Sequence, residues 1–333
     1  QKFSETVKIP FYYMTGSELP KENFHFVNFR TINNDKVYPS RRLIETIHEM
    51  ESRQEWFKDY VINTDEKNSF QLHGILQKGT DDHDYNSSII SSTLGFDSIH
   101  HSQSDAFFKD IRQRISKNGV IVMQNGIVGT NTKRPLDVDE FRAFALDDDI
   151  APLIFINTRD SQTGKIFSLI HEFIHILLRE NEILNVSEES TLKKEQWINN
   201  LTASILMPKE KIFNYELSKK SLLSDLNSIS KKQHVSIVAA AIRLKKLGLI
   251  NQDAVETAIE KQSELIKYSN GAVASGGIYK NNVISRIDPH YANAVINYEA
   301  LGKLSMLDAA KMLGTNINNY SEISETILKT RDI

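Results

Sequence analysis

Residues 166–178 read IFSLIHEFIHILL, an apolar run broken by two histidines and one glutamate. A helix that is apolar nearly all round has no face to give to water, so this segment predicts a buried helix at the centre of a layered fold. His171 and His175 are four residues apart, which on a helix is about 40° around the axis and one turn along it. Both imidazoles can therefore serve one point in space. Buried without partners, two such rings would cost several kcal/mol, so a metal ion or a satisfied pair of core histidines is required.

Glu172 follows the first histidine directly. It is close enough to the shared side to reach a water on a metal and poorly placed to displace an imidazole. Two histidine ligands with an adjacent carboxylate base are what water activation by Zn²⁺ requires, and His171-Glu172-Phe173-Ile174-His175 is an HExxH motif. A catalytic zinc takes a third protein ligand and keeps one position for water. The extended motif with a later glycine and third histidine is absent, because Leu178 and Asn181 stand in those places. Glu180 and Glu182 are too near on the same helix to fold back, and Glu188 and Glu189 are expected in a connecting loop. Glu195 opens the next apolar helix, with Asn199 one turn later on its face. We read Glu195 as the third ligand and Asn199 as its helix-face partner. An exposed helix-start carboxylate is the bland alternative for Glu195.

Composition narrows the chemistry further. The 333 residues contain no cysteine, which excludes disulfides, thiolate zinc sites, iron–sulfur clusters and a cysteine nucleophile. Any transition metal must sit on His, Asp or Glu. With 40 Lys+Arg against 43 Asp+Glu the net charge is −3, which excludes an obligate, chain-wide polyanion binder. No apolar run has the length of a signal peptide or a membrane span, so the expectation is a cytoplasmic protein with no membrane partner.

Along the chain, alternating aromatics at 24–31 suggest a strand, and Pro39-Ser40 opens a helix carrying Leu43, Ile47, Met50 and Phe57 at helical spacing. Residues 64–86 read as a polar loop. A second amphipathic helix is expected at 106–117, then a strand ending in a turn at Asn125-Gly126. Two strands separated by Asp147-Asp148-Asp149 precede the HExxH helix, and the following helix stops at Pro208. Residues 216–266 read as helical, SNGAVASGGIY as a break, and the tail as a small helical unit. The expected class is α+β, predominantly helical, with three regions: 1–130, 131–215 holding the site, and 216–333.

FRAFALDDDIAPLIFINTRDSQTGKIFSLIHEFIHILL and EQWINNLTASILMP together resemble the ImmA/IrrE family of metallo-endopeptidases. That resemblance implies a zincin-like peptidase core with a small sheet. It puts metal ligands on His171, His175 and Glu195, the general base on Glu172 and the family's asparagine on Asn199. Leu206-Met207-Pro208 matches outright, while Ile198 and Leu201-Thr202 depart from the family at packing positions. NFRTINNDKVYPSRRLIETIHEMESRQEWFKDY and the C-terminal region resemble long members, whose N-terminal helix-turn-helix domain, a route to DNA, would be absent here. The resemblance implies zinc, with manganese as the alternative metal. Its implied substrate is a helix-turn-helix transcriptional repressor, cleaved or inactivated to release stress-response or mobile-element genes. The competing expectation is a non-proteolytic, toxin–antitoxin-like module that sequesters a repressor or senses a ligand.

Other charged features take ordinary readings. Asp81-Asp82-His83-Asp84 is expected to be a solvated acidic loop and His100-His101 a surface pair. Lys219-Lys220, Lys231-Lys232, Arg243, Lys245 and Lys246 are expected to coat helices in water rather than to touch DNA.

Overall fold

Two hydrophobic cores lie back to back on a single small sheet. The computed structural model describes residues 29–30, 39–64, 70–76, 83–179, 188–215, 221–269 and 278–329. Strand β1 (Phe29–Arg30) is followed by helices α1 (Arg41–Thr64), α2 (His83–Leu94) and α3 (Ser104–Lys117), then β2 (Ile121–Asn125). Strands β3 (Ala143–Leu146) and β4 (Leu153–Asn157) feed α4 (Gln162–Leu178), α5 (Glu188–Leu206) and the short α6 (Lys209–Phe213). Helices α7 (Leu222–Gln233), α8 (Ile237–Lys246) and α9 (Gln252–Ser269) follow. The described chain ends with α10 (Tyr279–Arg286), α11 (Pro289–Ala300), α12 (Met306–Met312) and α13 (Ile317–Lys329). This is the expected predominantly helical α+β class.

The sheet order is β1-β3-β4-β2, with β4 antiparallel to β3 and parallel to β2. Successive side chains on a strand point to opposite faces. Val122, Ile154 and Ile156 accordingly join the core built on α4, α5, α7 and α8. Ile121, Met123, Phe144, Leu153 and Phe155 join the second core, with α1 and the C-terminal helices. Phe144 and Phe155 are directly paired across the ladder and stack with centroids 5.1 Å apart. A strand buried on both faces needs no polar alternation, which is why LIFIN is apolar almost throughout.

Helix α1 is tied to the β3–β4 hairpin. Gln54 Nε2 donates to the carbonyls of Leu146 and Ala151, both at 2.9 Å, and Lys58 pairs with Asp148 at 2.5 Å. The Asp148 carboxyl sits below its usual range. Burial pushes it up, but Lys58 and the backbone donors of Ile150 and Ala151 outweigh that.

The sheet order decides whether β4 has a free edge. A β4 at the sheet edge could take an extended substrate by strand addition. Instead β4 is interior, with Leu153 facing Leu146 on one side and Ile121 on the other, so its backbone groups are already used. The outer edge of β2 is sealed by side chains. Asp288 Oδ2 accepts from Val122 N at 3.0 Å, and the Arg112 guanidinium donates to Val122 O at 2.7 and 3.0 Å and to Ser285 O at 2.7 Å.

The expected loop at 64–86 is corrected at its end, because α2 begins at His83 and runs to Leu94. Its buried side is Asn86, Ser87, Ile90, Ser91 and Leu94. Small polar residues fill a face that hydrophobic periodicity would need to see as apolar. The strand expected at 24–31 survives as Phe29–Arg30, and its remaining residues lie outside the described ones. No described helix is long and apolar enough to cross a membrane.

Arg112 is buried, and burial pushes its guanidinium pKa down while Asp288 opposes that shift. Asp288 also caps α11 through His290 N and Tyr291 N. Asp288→Ala therefore removes a cap and leaves a buried cation uncompensated, a loss expected at about 3–5 kcal/mol. Urea unfolding followed by circular dichroism measures it; a loss below about 1 kcal/mol would show that the Arg112 charge is neutralised elsewhere.

Candidate metal centre

Helix α4 is fixed at both ends before it carries any functional group. At its start, the Ser161 side chain accepts from Gly164 N at 3.1 Å as N-cap. Arg142, just before β3, holds the Asp160 carboxylate through both oxygens at 3.1 and 3.0 Å. A Cβ on Gly164 would run into that carboxylate, so only glycine fits there. The end of β4 is tied down by Asn157, whose Nδ2 donates to the carbonyls of Asp137 and Phe141. At the far end Arg179 caps the helix in the left-handed region (φ 53°), and Gly74 N donates to Leu177 O at 3.0 Å. Arg179 pairs with Asp149 at 2.6 Å, and His73 lies between Asp147 (3.2 Å) and Asp149 (3.4 Å). Burial raises the Asp147 pKa, with His73 acting against it.

Helix α5 packs beside α4 through Ile198, Leu201 and Thr202, all fully buried, so the positions where the sequence departs from the motif it resembles are core positions. This pairing delivers Glu195 to the histidines. His171 Nε2 and His175 Nε2 are 3.1 Å apart, and the Glu195 oxygens lie 3.3 Å from the first and 3.4 Å from the second. Donor atoms about 2.0–2.2 Å from a tetrahedral centre stand about 3.3–3.6 Å from one another. The three atoms, all within 4.8 Å of one another, fit such a centre with the imidazole pair slightly tight. Among the described residues no other His, Asp or Glu group converges in this way.

The side chains of His171 and His175 are 2% and 7% exposed, whereas that of Glu195 is 19% exposed, so the centre opens to solvent on its α5 side. Burial pushes the Glu195 carboxyl up, but the hydrogen bond from His171 and the nearby imidazoles and Lys194 outweigh that and hold it below its usual range. It stands ready as an anionic donor. Glu172 is buried on the same turn of α4. Asn199 follows Glu195 by one turn and is half-buried.

Several expectations are relocated. Glu188 and Glu189 fall in the first turn of α5 and not in a connecting loop, since the helix starts at Glu188. Glu180, Asn181, Glu182, Asp81, Asp82, Lys219 and Lys220 lie outside the described residues. Asp84 is not a solvated loop residue: it pairs with Lys209 at 3.0 Å and Arg243 at 3.4 Å, while neighbouring His83 packs on Trp197 of α5. Arg243 likewise does not coat a helix in water. It is 5% exposed and donates to Met207 O at 3.1 Å, tying α8 to the end of α5. Its signal lay in sequence position only: a lone Arg among the small apolar residues of IVAAAIRL.

Residues 129–245 match the family model described as the IrrE N-terminal-like domain, Peptidase_M78. The match spans about a third of the chain and makes this segment similar to the ImmA/IrrE metallopeptidases. No curated protein and no solved structure matches the chain. The matched segment contains all three converging residues, Glu172, and the Arg142–Asp160 latch at the head of α4.

Helix propensity alone would favour alanine over glycine at position 164 by about 1 kcal/mol. The clash with Asp160 predicts the reverse, because relieving it breaks the Arg142 pair. Gly164→Ala is expected to lower stability by about 1–3 kcal/mol, read from the urea midpoint. A raised midpoint would mean that the Asp160 carboxylate is not held in place.

Proposed function

We propose that this chain is a zinc-dependent endopeptidase whose metal is held by His171, His175 and Glu195, with Asn199 supporting Glu195 from the next turn of α5. The observation that carries the reading is the convergence of two imidazoles and one carboxylate at tetrahedral separations, beside a glutamate that such ligation does not need. A purely structural site would have no use for Glu172. Manganese is the alternative ion for the same donor set.

A divalent metal held by His171, His175 and Glu195 would supply Lewis acidity, bringing the pKa of a bound water toward about 7 and polarising the scissile carbonyl. The chain's own part is proton transfer and positioning. Glu172 takes a proton from the attacking water and delivers it to the departing amine, a role worth roughly 10²–10⁴ in rate. Glu195 and the two imidazoles, held by helices latched at their ends, fix where that water stands. A peptidase domain implies a protein substrate. We infer a helix-turn-helix repressor, whose cleavage would switch on stress-response or mobile-element genes. The family match supports the peptidase activity, and the choice of repressor rests on the resemblance described above.

Incubating the chain with candidate repressors, wild type beside Glu172→Gln, tests the mechanism. Cleavage is expected to fall at least about 10²-fold in the variant. Equal cleavage by both removes the general-base role, and equal repressor release without cleavage favours a binding module instead.

The ligand assignment has its own measurement. After exhaustive dialysis, elemental analysis is expected to find about one zinc per chain in the wild type and far less in Glu195→Ala. An affinity loss of more than about tenfold is expected, with a smaller one for Asn199→Ala. Full metal retention by Glu195→Ala would remove Glu195 from the ligand set.

A further inference from the structure

On the side of the sheet away from α4, a cavity of about 280 Å³ opens between α1, the end of β2, α10 and the turn after α12. Its apolar wall includes Met123 and Phe155, and its charged groups are Arg53, Arg286, Lys311 and Glu49. Three cations thus face one carboxylate, and that carboxylate is engaged, because Glu49 accepts from Arg53 at 2.7 Å. Lys311 sits at the rim, 67% exposed and 3.6 Å from Asp308. Arg286 is different. It is half-buried in the last turn of α10, and among the described residues no carboxylate lies within ion-pair reach of it. Burial accordingly pushes its guanidinium pKa down.

A cation taken partly out of water with no counter-charge costs free energy, which an anion in the cavity would recover. Guanidinium forks match planar carboxylate and phosphate oxygens. The volume lies just under the roughly 300–1,000 Å³ of pockets for drug-sized ligands, and Met123 and Phe155 offer an apolar bed beside the charges. We propose that this cavity binds a small organic anion, with its carboxylate or phosphate head on Arg286 and Arg53 and its apolar body against Met123 and Phe155. The ligand is not the peptide substrate, because the sheet separates the cavity from His171 and His175. On β4, Phe155 lines the cavity while its neighbours Ile154 and Ile156 belong to the core around α4.

The test is thermal unfolding of the full chain with AMP, ribose 5-phosphate, benzoate or inorganic phosphate at low-millimolar concentration, against sodium chloride of equal ionic strength. At least one of the three organic anions is expected to raise the midpoint by a few degrees. Arg286→Gln should lose most of that rise without lowering the ligand-free midpoint, and Lys311→Gln should lose part of it. Should Arg286→Gln fail to fold, Arg286→Lys, which keeps the charge but loses the fork, takes its place with the same expected direction. No rise above the salt control, an equal rise in the Arg286 and Lys311 variants, or a rise with inorganic phosphate alone would overturn the proposal. Because metal and peptidase activity do not enter the readout, failure here and failure of the hydrolase reading are separate results.

Discussion

Two imidazoles and a carboxylate drawn together inside an apolar helix pair set the terms for the surrounding architecture. Each group alone would resist burial, and a carboxylate beside two neutral rings recovers only part of what leaving water costs. A divalent cation at their meeting point satisfies all three. Its hold depends on donor positions kept to a few tenths of an ångström, so the supporting shell matters as much as the ligands. That shell is visible at both ends of α4: Arg142 on Asp160 at the head, Arg179 and His73 on the Asp147–Asp149 turn at the tail. The β3–β4 hairpin supplies groups to both latches. Strand and metal helix are thus one mechanical unit.

The sheet divides the remaining work by residue parity. Odd and even positions of β2 and β4 go to different cores, so a metal face and a cationic cavity are built on opposite sides of the same five-residue strands. Neither side can be repacked without moving backbone that the other uses. The separation also means that charges in the cavity, chiefly Arg53 and Arg286, are insulated from the metal centre by a layer of packed side chains and can be set independently of it.

The metal centre was the most legible part because it is local. HExxH places two candidate ligands and a candidate base on one helix by spacing alone, and Glu195 was legible from the apolar helix that follows it, although α5 begins at Glu188 and puts Glu195 two turns in. The strands at 121–125, 143–146 and 153–157 were legible from their apolar runs, and the turn at Asn125-Gly126 from its dipeptide: a Cβ on Gly126 would meet Thr158 Oγ1 at 2.7 Å. What escaped was non-local or compositionally disguised. Helix α2 hides its buried face behind serines and an asparagine. The roles of Arg243 and Arg112 rest on carbonyls of Met207 and Ser285 far along the chain, and a guanidinium says nothing in sequence about whether it will meet water or a buried oxygen. The position of β4 within the sheet depends on which strands pair, and periodicity cannot supply that.

Strand order then constrains how a peptide can approach. An extended substrate that adds to a sheet needs a row of unused backbone groups. On β4 both sides are spent, and along β2 the Val122 N–H and carbonyl are taken by Asp288 and Arg112, while the Gln124 side chain reaches across the edge, its Nε2 donating to Ser285 O at 2.6 Å. Entry from the β2 side would have to dislodge a buried arginine and the cap of α11, which is a folding-scale cost. The exposure gradient across the centre points the other way, from two nearly inaccessible imidazoles to the one-fifth-exposed side chain of Glu195. On the proposed reading a peptide would approach along the α5 side, where Glu195 is the candidate ligand nearest to solvent. A change at that residue should disturb access and ligation together, whereas a change at either histidine should disturb ligation alone.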